Sequence, residues 1–75
     1  MMPPLPVISG REARKAFERL GWQFDQTTGS HMILRRAGHP TLSVPDHKEL
    51  AVGTLRALIR TAGLTVDQFL QAHSG

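Results

Sequence analysis

The sequence contains no cysteine. This absence excludes disulfide bonds and zinc sites built from thiolates. It fits the reducing cytosol, and we expect a cytoplasmic protein. At 75 residues, the chain is expected to form one domain, residues 1–75, with a thin core. Such a core leaves room for a shallow groove but hardly for a deep cavity with a cofactor, so no cofactor is expected.

Long apolar runs are missing as well. No stretch approaches the roughly 20 apolar residues that a membrane span needs. The first six residues, Met1 to Pro6, lack the positive flank and the apolar segment of a secretory signal. We therefore expect a soluble, unprocessed protein with no membrane partner.

Acidic residues are fewer than basic ones. Nine Lys and Arg face six Asp and Glu, which gives a net charge of +3 with neutral histidines. This excess suits a polyanion such as RNA, although many ordinary soluble proteins are equally basic. Charge alone therefore favours a nucleic-acid partner only weakly.

The apolar spacing predicts a helix, three strands and a second helix. After a proline-rich lead-in over residues 1–8, Ser9 is the predicted N-cap with Glu12 at the capping-box position, and Gly21 ends the helix. Short turns between the strands predict an antiparallel meander. The predicted strands cover residues 22–26, 30–36 and 41–44.

The carboxyl-terminal part contains the second helix, which begins near Gly53 and ends at Gly63. Thr65 is predicted to cap a last short helix over residues 66–71, and the tail 72–75 is expected to fray. Two helices with one apolar stripe each are expected to cover one face of the sheet. The expected class is α+β, a three-stranded antiparallel sheet with both helices on one face.

Alternation along the second strand separates two faces. Met32 and Leu34 are predicted to face the helices, which places His31, Ile33 and Arg35 on the other face. This assignment depends on the strand register.

Alternation in the other two strands predicts further core residues. Leu42 and Val44 of the third strand are expected to point inward. Trp22 and Phe24 are predicted to lie in the core rather than to serve as base-stacking platforms.

The tripeptide Gly29-Ser30-His31 stands where a turn meets the most apolar strand. Glycine permits the positive φ of a sharp turn, and histidine exchanges protons near neutral pH. His31 is therefore the candidate catalytic residue, with His47 as a weaker candidate for a second group. Ser30 either orients His31 or binds a phosphate, or it only satisfies backbone groups of the turn. From spacing alone, the structural role, a strand-end imidazole that binds a backbone carbonyl, is the more typical one for His31.

Five basic residues are candidates for RNA contacts. Each one alone is more typical of a solvated surface, but as a set they could line a groove for phosphates. They are Arg35, Arg36, Lys48, Arg56 and Arg60.

A metal site is a further possibility. His31, His39, His47 and Asp46 could supply ligands, but no helical i, i+3 or i, i+4 pairing supports such a site. No metal is expected.

Three separated motifs carry a family resemblance. Gly29-Ser30-His31 heads the second strand, Pro45-Asp46-His47 follows the third, and Gly53-Thr54-Leu55-Arg56 through Ala62-Gly63-Leu64 forms the second helix. In this order, from about Pro6 to Leu64, they resemble the HicA toxins, which are small mRNA interferases.

The resemblance implies a fold like the double-stranded-RNA-binding domain, α-β-β-β-α. It implies metal-independent cleavage of mRNA with His31 as the catalytic residue. It also implies a HicB-type antitoxin that covers the active site. Many members carry a basic residue before the glycine, where this chain has Thr28, which removes a possible phosphate contact. The alternative is a non-catalytic RNA-binding or protein-interaction module on the same fold.

Overall fold

The computed structural model describes residues 4–75; Met1 to Pro3 of the predicted lead-in lie outside the described residues. The elements follow in the order helix, three strands, two helices, which confirms the α+β class. They are α1 (Gly10–Arg19), β1 (Gln23–Thr28), β2 (His31–Arg35), β3 (Leu42–Pro45), α2 (Val52–Thr61) and α3 (Val66–Ser74).

The predicted capping box opens α1. The Ser9 hydroxyl accepts a hydrogen bond from the Glu12 backbone N–H at 3.0 Å, and the Glu12 carboxylate accepts one from the Ser9 N–H at 3.1 Å. These two bonds satisfy groups that a helix start leaves open. At the other end Gly21 has a φ of 106° and turns the chain towards β1. The boundaries predicted for this helix are confirmed.

The sheet is an antiparallel meander in the order β1-β2-β3. The first hairpin is tighter than predicted, because β1 continues to Thr28 and only Gly29 and Ser30 form the turn. Ser30 therefore belongs to the turn and not to the strand. Gly29, with a φ of 59°, supplies the positive φ that a two-residue hairpin requires.

The two faces of β2 are as the alternation predicts. Met32 and Leu34 are buried on the helical side, together with Leu42 and Val44 of β3. The pairing partners of His31, Ile33 and Arg35 on the neighbouring strands lie with them on the open face.

Phe24 corrects one prediction. Trp22 lies in the core, 2% exposed and edge-on to Phe17, whereas Phe24 is 36% exposed. β1 is an edge strand with a register irregularity after Phe24, and the guanidinium of Arg14 on α1 lies over this ring, 3.8 Å from its centroid.

The length of α3 corrects a second prediction. The helix reaches Ser74 rather than ending at residue 71, so the tail predicted to fray is mostly helical. Arg19 binds the tail by donating to the Ala72 carbonyl at 2.8 Å. Phe69 is fully buried, with its ring centroid 5.1 Å from that of Phe17.

None of the helices in residues 4–75 has the length and apolar composition to cross a membrane.

Low pH should weaken the Ser9–Glu12 capping box at the start of α1. The hydrogen bond from the Ser9 N–H, with help from the Ser9 side chain, lowers the pKa of Glu12 below its ordinary value of 4.5. A carboxylate whose pKa is lower in the folded state stabilises the fold above its unfolded pKa, and this stabilisation disappears as the pH falls through the folded value. The Glu12→Gln variant lacks this titration. At about pH 6 this variant should have a lower free energy of unfolding than the wild type, measured with urea. The difference between the two proteins should shrink as the pH falls to about 3. A difference that stays constant would contradict this role.

Candidate active site

The tripeptide Gly29-Ser30-His31 and the loop after β3 meet at one end of the sheet. His31 pairs with Thr28 of β1 on one side and with Pro45 of β3 on the other. The Asp46 N–H donates to the Ser30 carbonyl oxygen at 2.7 Å. The stretches Gly29-Ser30-His31 and Pro45-Asp46-His47 are therefore neighbours in space.

His31 is the first residue of β2, and its side chain is exposed on the face away from the helices. Among residues 4–75, no hydrogen bond engages its ring. His39 differs, because its Nδ1 lies 3.0 Å from the Ala37 carbonyl oxygen. The His31 side chain is therefore exposed to a large substrate that approaches this face.

The backbone of Ser30 has a structural role. Its carbonyl accepts the bond from Asp46, and this contact joins the hairpin turn to the loop after β3. Its side chain is exposed. Gly29 provides the turn conformation and has nothing within 4 Å of the place where a Cβ would stand.

His47 and Lys48 belong to the same end of the molecule. The His47 carbonyl accepts the Gly10 N–H at 2.8 Å, which fixes the loop to the start of α1. Both side chains are exposed. With Ser9 and Arg11 they line a shallow cleft.

Gly10 and Arg11 complete this contact, and sequence reasoning missed both. A Cβ at residue 10 would collide with the Pro45 carbonyl oxygen, so only glycine fits. The Arg11 guanidinium donates to both carboxylate oxygens of Asp46, at 3.2 and 3.4 Å. Glycine weakens a helix. A glycine directly after the N-cap could therefore have indicated that another backbone segment packs closely against the start of α1.

Arg35 and Arg36 have partners within the chain. Arg35 pairs with Asp25 at 2.8 Å and donates to the Thr41 hydroxyl at 3.2 Å. Arg36 donates to the Leu20 carbonyl at 2.8 Å, at the end of α1. Arg35 ends β2, about 13 Å from His31 at the rise of a strand, and Arg36 follows directly after it.

Arg56 and Arg60 lie on another part of the surface. They are exposed on α2, one turn apart, and they line a cleft where α2 meets α3 together with Leu64 and Val66. No residue of the His31 end lines this cleft.

The four candidate metal ligands do not come together. His39 lies in the turn after β2, at the end of the sheet away from His31, with its ring centroid 5.3 Å from that of Trp22. Within residues 4–75, no group of three or more His, Asp and Glu side chains is placed to hold a metal ion.

Comparison with known families defines the class. Residues 10–64 match the family model described as HicA toxin of bacterial toxin-antitoxin. The chain is therefore the toxin component of a toxin–antitoxin pair. It belongs to the HicA toxin family, which confirms the resemblance of the three motifs. A search of curated proteins found no significant match.

The clash at residue 10 makes a direct prediction. Alanine normally stabilises a helix by about 0.5–1 kcal/mol relative to glycine, and Gly53→Ala, where a Cβ meets nothing within 4 Å, should behave in this way. Gly10→Ala should instead lower the free energy of unfolding by about 1–3 kcal/mol, because the added methyl has no space. Urea denaturation of both variants checks this. Equal stabilisation by the two alanines would show that α1 and the loop are not in close contact.

Proposed function

We propose that this chain is an endoribonuclease that cleaves mRNA without a metal ion, and that His31 carries out one of the two proton transfers of the reaction. The observation that carries the proposal is the exposed, unengaged imidazole of His31 on the open face of the sheet. Membership of the HicA toxin family supports a toxic activity, and cutting mRNA supplies one.

RNA carries its own nucleophile, the 2′-hydroxyl. Removal of its proton lets the 2′-oxygen attack phosphorus, and the bond to the 5′-oxygen then breaks as that oxygen takes up a proton. The products are a 2′,3′-cyclic phosphate and a free 5′-hydroxyl. His31 serves as the base for the first proton or the acid for the second. A positioned acid or base contributes about 10²–10⁴-fold to the rate.

His47 is the candidate for the complementary proton transfer. The bonds from Gly10 to His47 and from Asp46 to Ser30 hold the loop against the hairpin that presents His31. Both imidazoles are exposed at this end of the sheet. Two histidines in opposite protonation states would allow one to accept a proton while the other donates one.

The open face suits a single strand of RNA. Its residues around His31 and Ile33 are mostly uncharged and polar, namely Gln23, Gln26, Thr28 and Ser43. The single cation on these strands, Arg35, is neutralised by Asp25. Such a face can contact the bases and sugars of a polymer.

A HicB-type antitoxin is the proposed protein partner. Ile33 is half-buried in the middle of the open face, two residues from His31. An antitoxin that packs on this apolar side chain would cover the proposed active site and exclude RNA. A role limited to protein or RNA binding, without cleavage, is the alternative that the following experiments distinguish.

Removal of the imidazole at residue 31 should abolish cutting. Purified protein should degrade single-stranded RNA with EDTA present and leave DNA of the same sequence intact, because DNA lacks the 2′-hydroxyl. His31→Ala should lower the cleavage rate at least about 100-fold with an unchanged circular dichroism spectrum. His39→Ala, which removes another exposed histidine, serves as the control and should remain active. Cleavage by His31→Ala at the wild-type rate would contradict the proposal.

Removal of His47 should change the shape of the pH profile. If two histidines act as acid and base, the rate follows a bell-shaped curve in pH. His47→Ala should lower the maximal rate about 10²-fold and remove one limb of this curve, and product analysis should still find the cyclic phosphate. A proportional decrease with both limbs preserved would show that His47 takes no part in proton transfer.

A further inference from the structure

A basic groove follows α1 towards the His31 end of the sheet. It consists of two shallow clefts that share Arg11 and Asp46, and we call the pair the α1 groove. Its remaining lining residues are Arg14, Lys15, Glu18, Thr27 and Met32 in the first cleft and Ser9, His47 and Lys48 in the second.

The α1 groove holds most of the net charge of the chain. Four of the nine cations line it, but only two of the six anions. Arg11 pairs with Asp46 and Arg14 with Glu18. In residues 4–75 neither Lys15 nor Lys48 takes part in a salt bridge. Two ammonium groups are therefore available to an external anion.

Arg14 is held in place before any ligand binds. Its guanidinium lies 3.8 Å from the centroid of the Phe24 ring and 4.0 Å from the Met32 sulfur. Glu18 fixes it from the next turn of the helix at 3.5 Å. A cation that is already ordered loses little conformational entropy on binding. The Phe24 ring, whose partial exposure the sequence did not predict, stacks against the Arg14 guanidinium and helps to hold it.

The groove and the proposed active site are continuous. Met32 follows His31 in β2, and it pairs with Thr27, which precedes the pairing partner of His31. Asp46, shared by both clefts, is bonded to Ser30. A strand that passes His31 on the open face reaches the α1 groove by turning around this end of the sheet.

We propose that the α1 groove binds the phosphates of the RNA strand next to the bond that His31 cuts. This inference rests on the proposed function and adds a binding path to it. Lys15 lines one cleft and Lys48 the other, on the two sides of the shared Arg11–Asp46 pair, so the two ammonium groups can contact different phosphates of one strand. Exposed apolar side chains are few along the groove, whereas a protein interface has an apolar centre. RNA is therefore the favoured occupant.

The test measures RNA affinity separately from cleavage. A fluorescent single-stranded RNA with 2′-O-methyl groups cannot be cut through its 2′-oxygen, so its binding to the wild-type protein can be followed by anisotropy. Lys15→Gln should weaken binding roughly fivefold at low salt, and the salt dependence should become less steep by about 0.7 in log–log slope for each lost phosphate contact. The double variant Lys15→Gln/Lys48→Gln should lose about twice that slope.

Gln71→Glu provides the matched control. It also lowers the net charge by one, but it lies exposed on α3, outside the α1 groove. Its affinity for the RNA should stay within about twofold of wild type. Equal weakening by Lys15→Gln and Gln71→Glu would reduce the effect to overall charge and overturn the inference. Unchanged RNA binding with weakened antitoxin binding in Lys15→Gln would assign the groove to the antitoxin, which also overturns it.

Cleavage assays separate this inference from the proposed function. His31→Ala should bind the modified RNA normally, and Lys15→Gln should cut ordinary RNA with a raised KM and a kcat near wild type. If Lys15→Gln binds normally while His31→Ala fails to cut, the inference is wrong and the proposed nuclease stands. If the wild-type protein neither binds nor cuts RNA, both are wrong.

Discussion

The first turn of α1 is held against the loop after β3 by contacts that leave no space for a side chain at residue 10. The Gly10 N–H donates to the His47 carbonyl, and the Asp46 N–H donates to the Ser30 carbonyl. The helix thereby fixes the loop, and the loop fixes the hairpin turn before His31. The exposed side chain of His31, the proposed catalytic residue, must be positioned by its backbone, because it has little packing of its own. This contact supplies that positioning.

The distribution of charge supports the same assignment of the site. The open face of the sheet is nearly neutral, because Asp25 cancels Arg35. The available cations lie instead on α1 and on the loop after β3, beside the end of the sheet that presents His31. Phosphate binding and proton transfer would then use different surfaces that meet at one edge. A chain of 75 residues can form such an arrangement without a deep cavity.

Local patterns in the sequence predict much of this structure. Alternation in β2 places His31 opposite the core, and the capping boxes at Ser9 and Thr65 begin two helices where expected. What the sequence could not indicate depends on tertiary contacts. The exposure of Phe24 follows from its position on an edge strand, and the helical tail follows from its contact with Arg19. The partners of Arg35 and Arg36 are likewise set only by the folded chain, and these arginines lie at the end of β2 away from His31.

The most direct measurement is an NMR titration of the 15N-labelled protein with single-stranded 2′-O-methyl RNA. If the site lies where α1, the loop and the hairpin meet, the amide shifts should change at His31, at Asp46 to Lys48 and along the first two turns of α1. Shift changes confined to the opposite end of the sheet, around Arg35 to Thr41, or to the cleft between α2 and α3, would contradict this account.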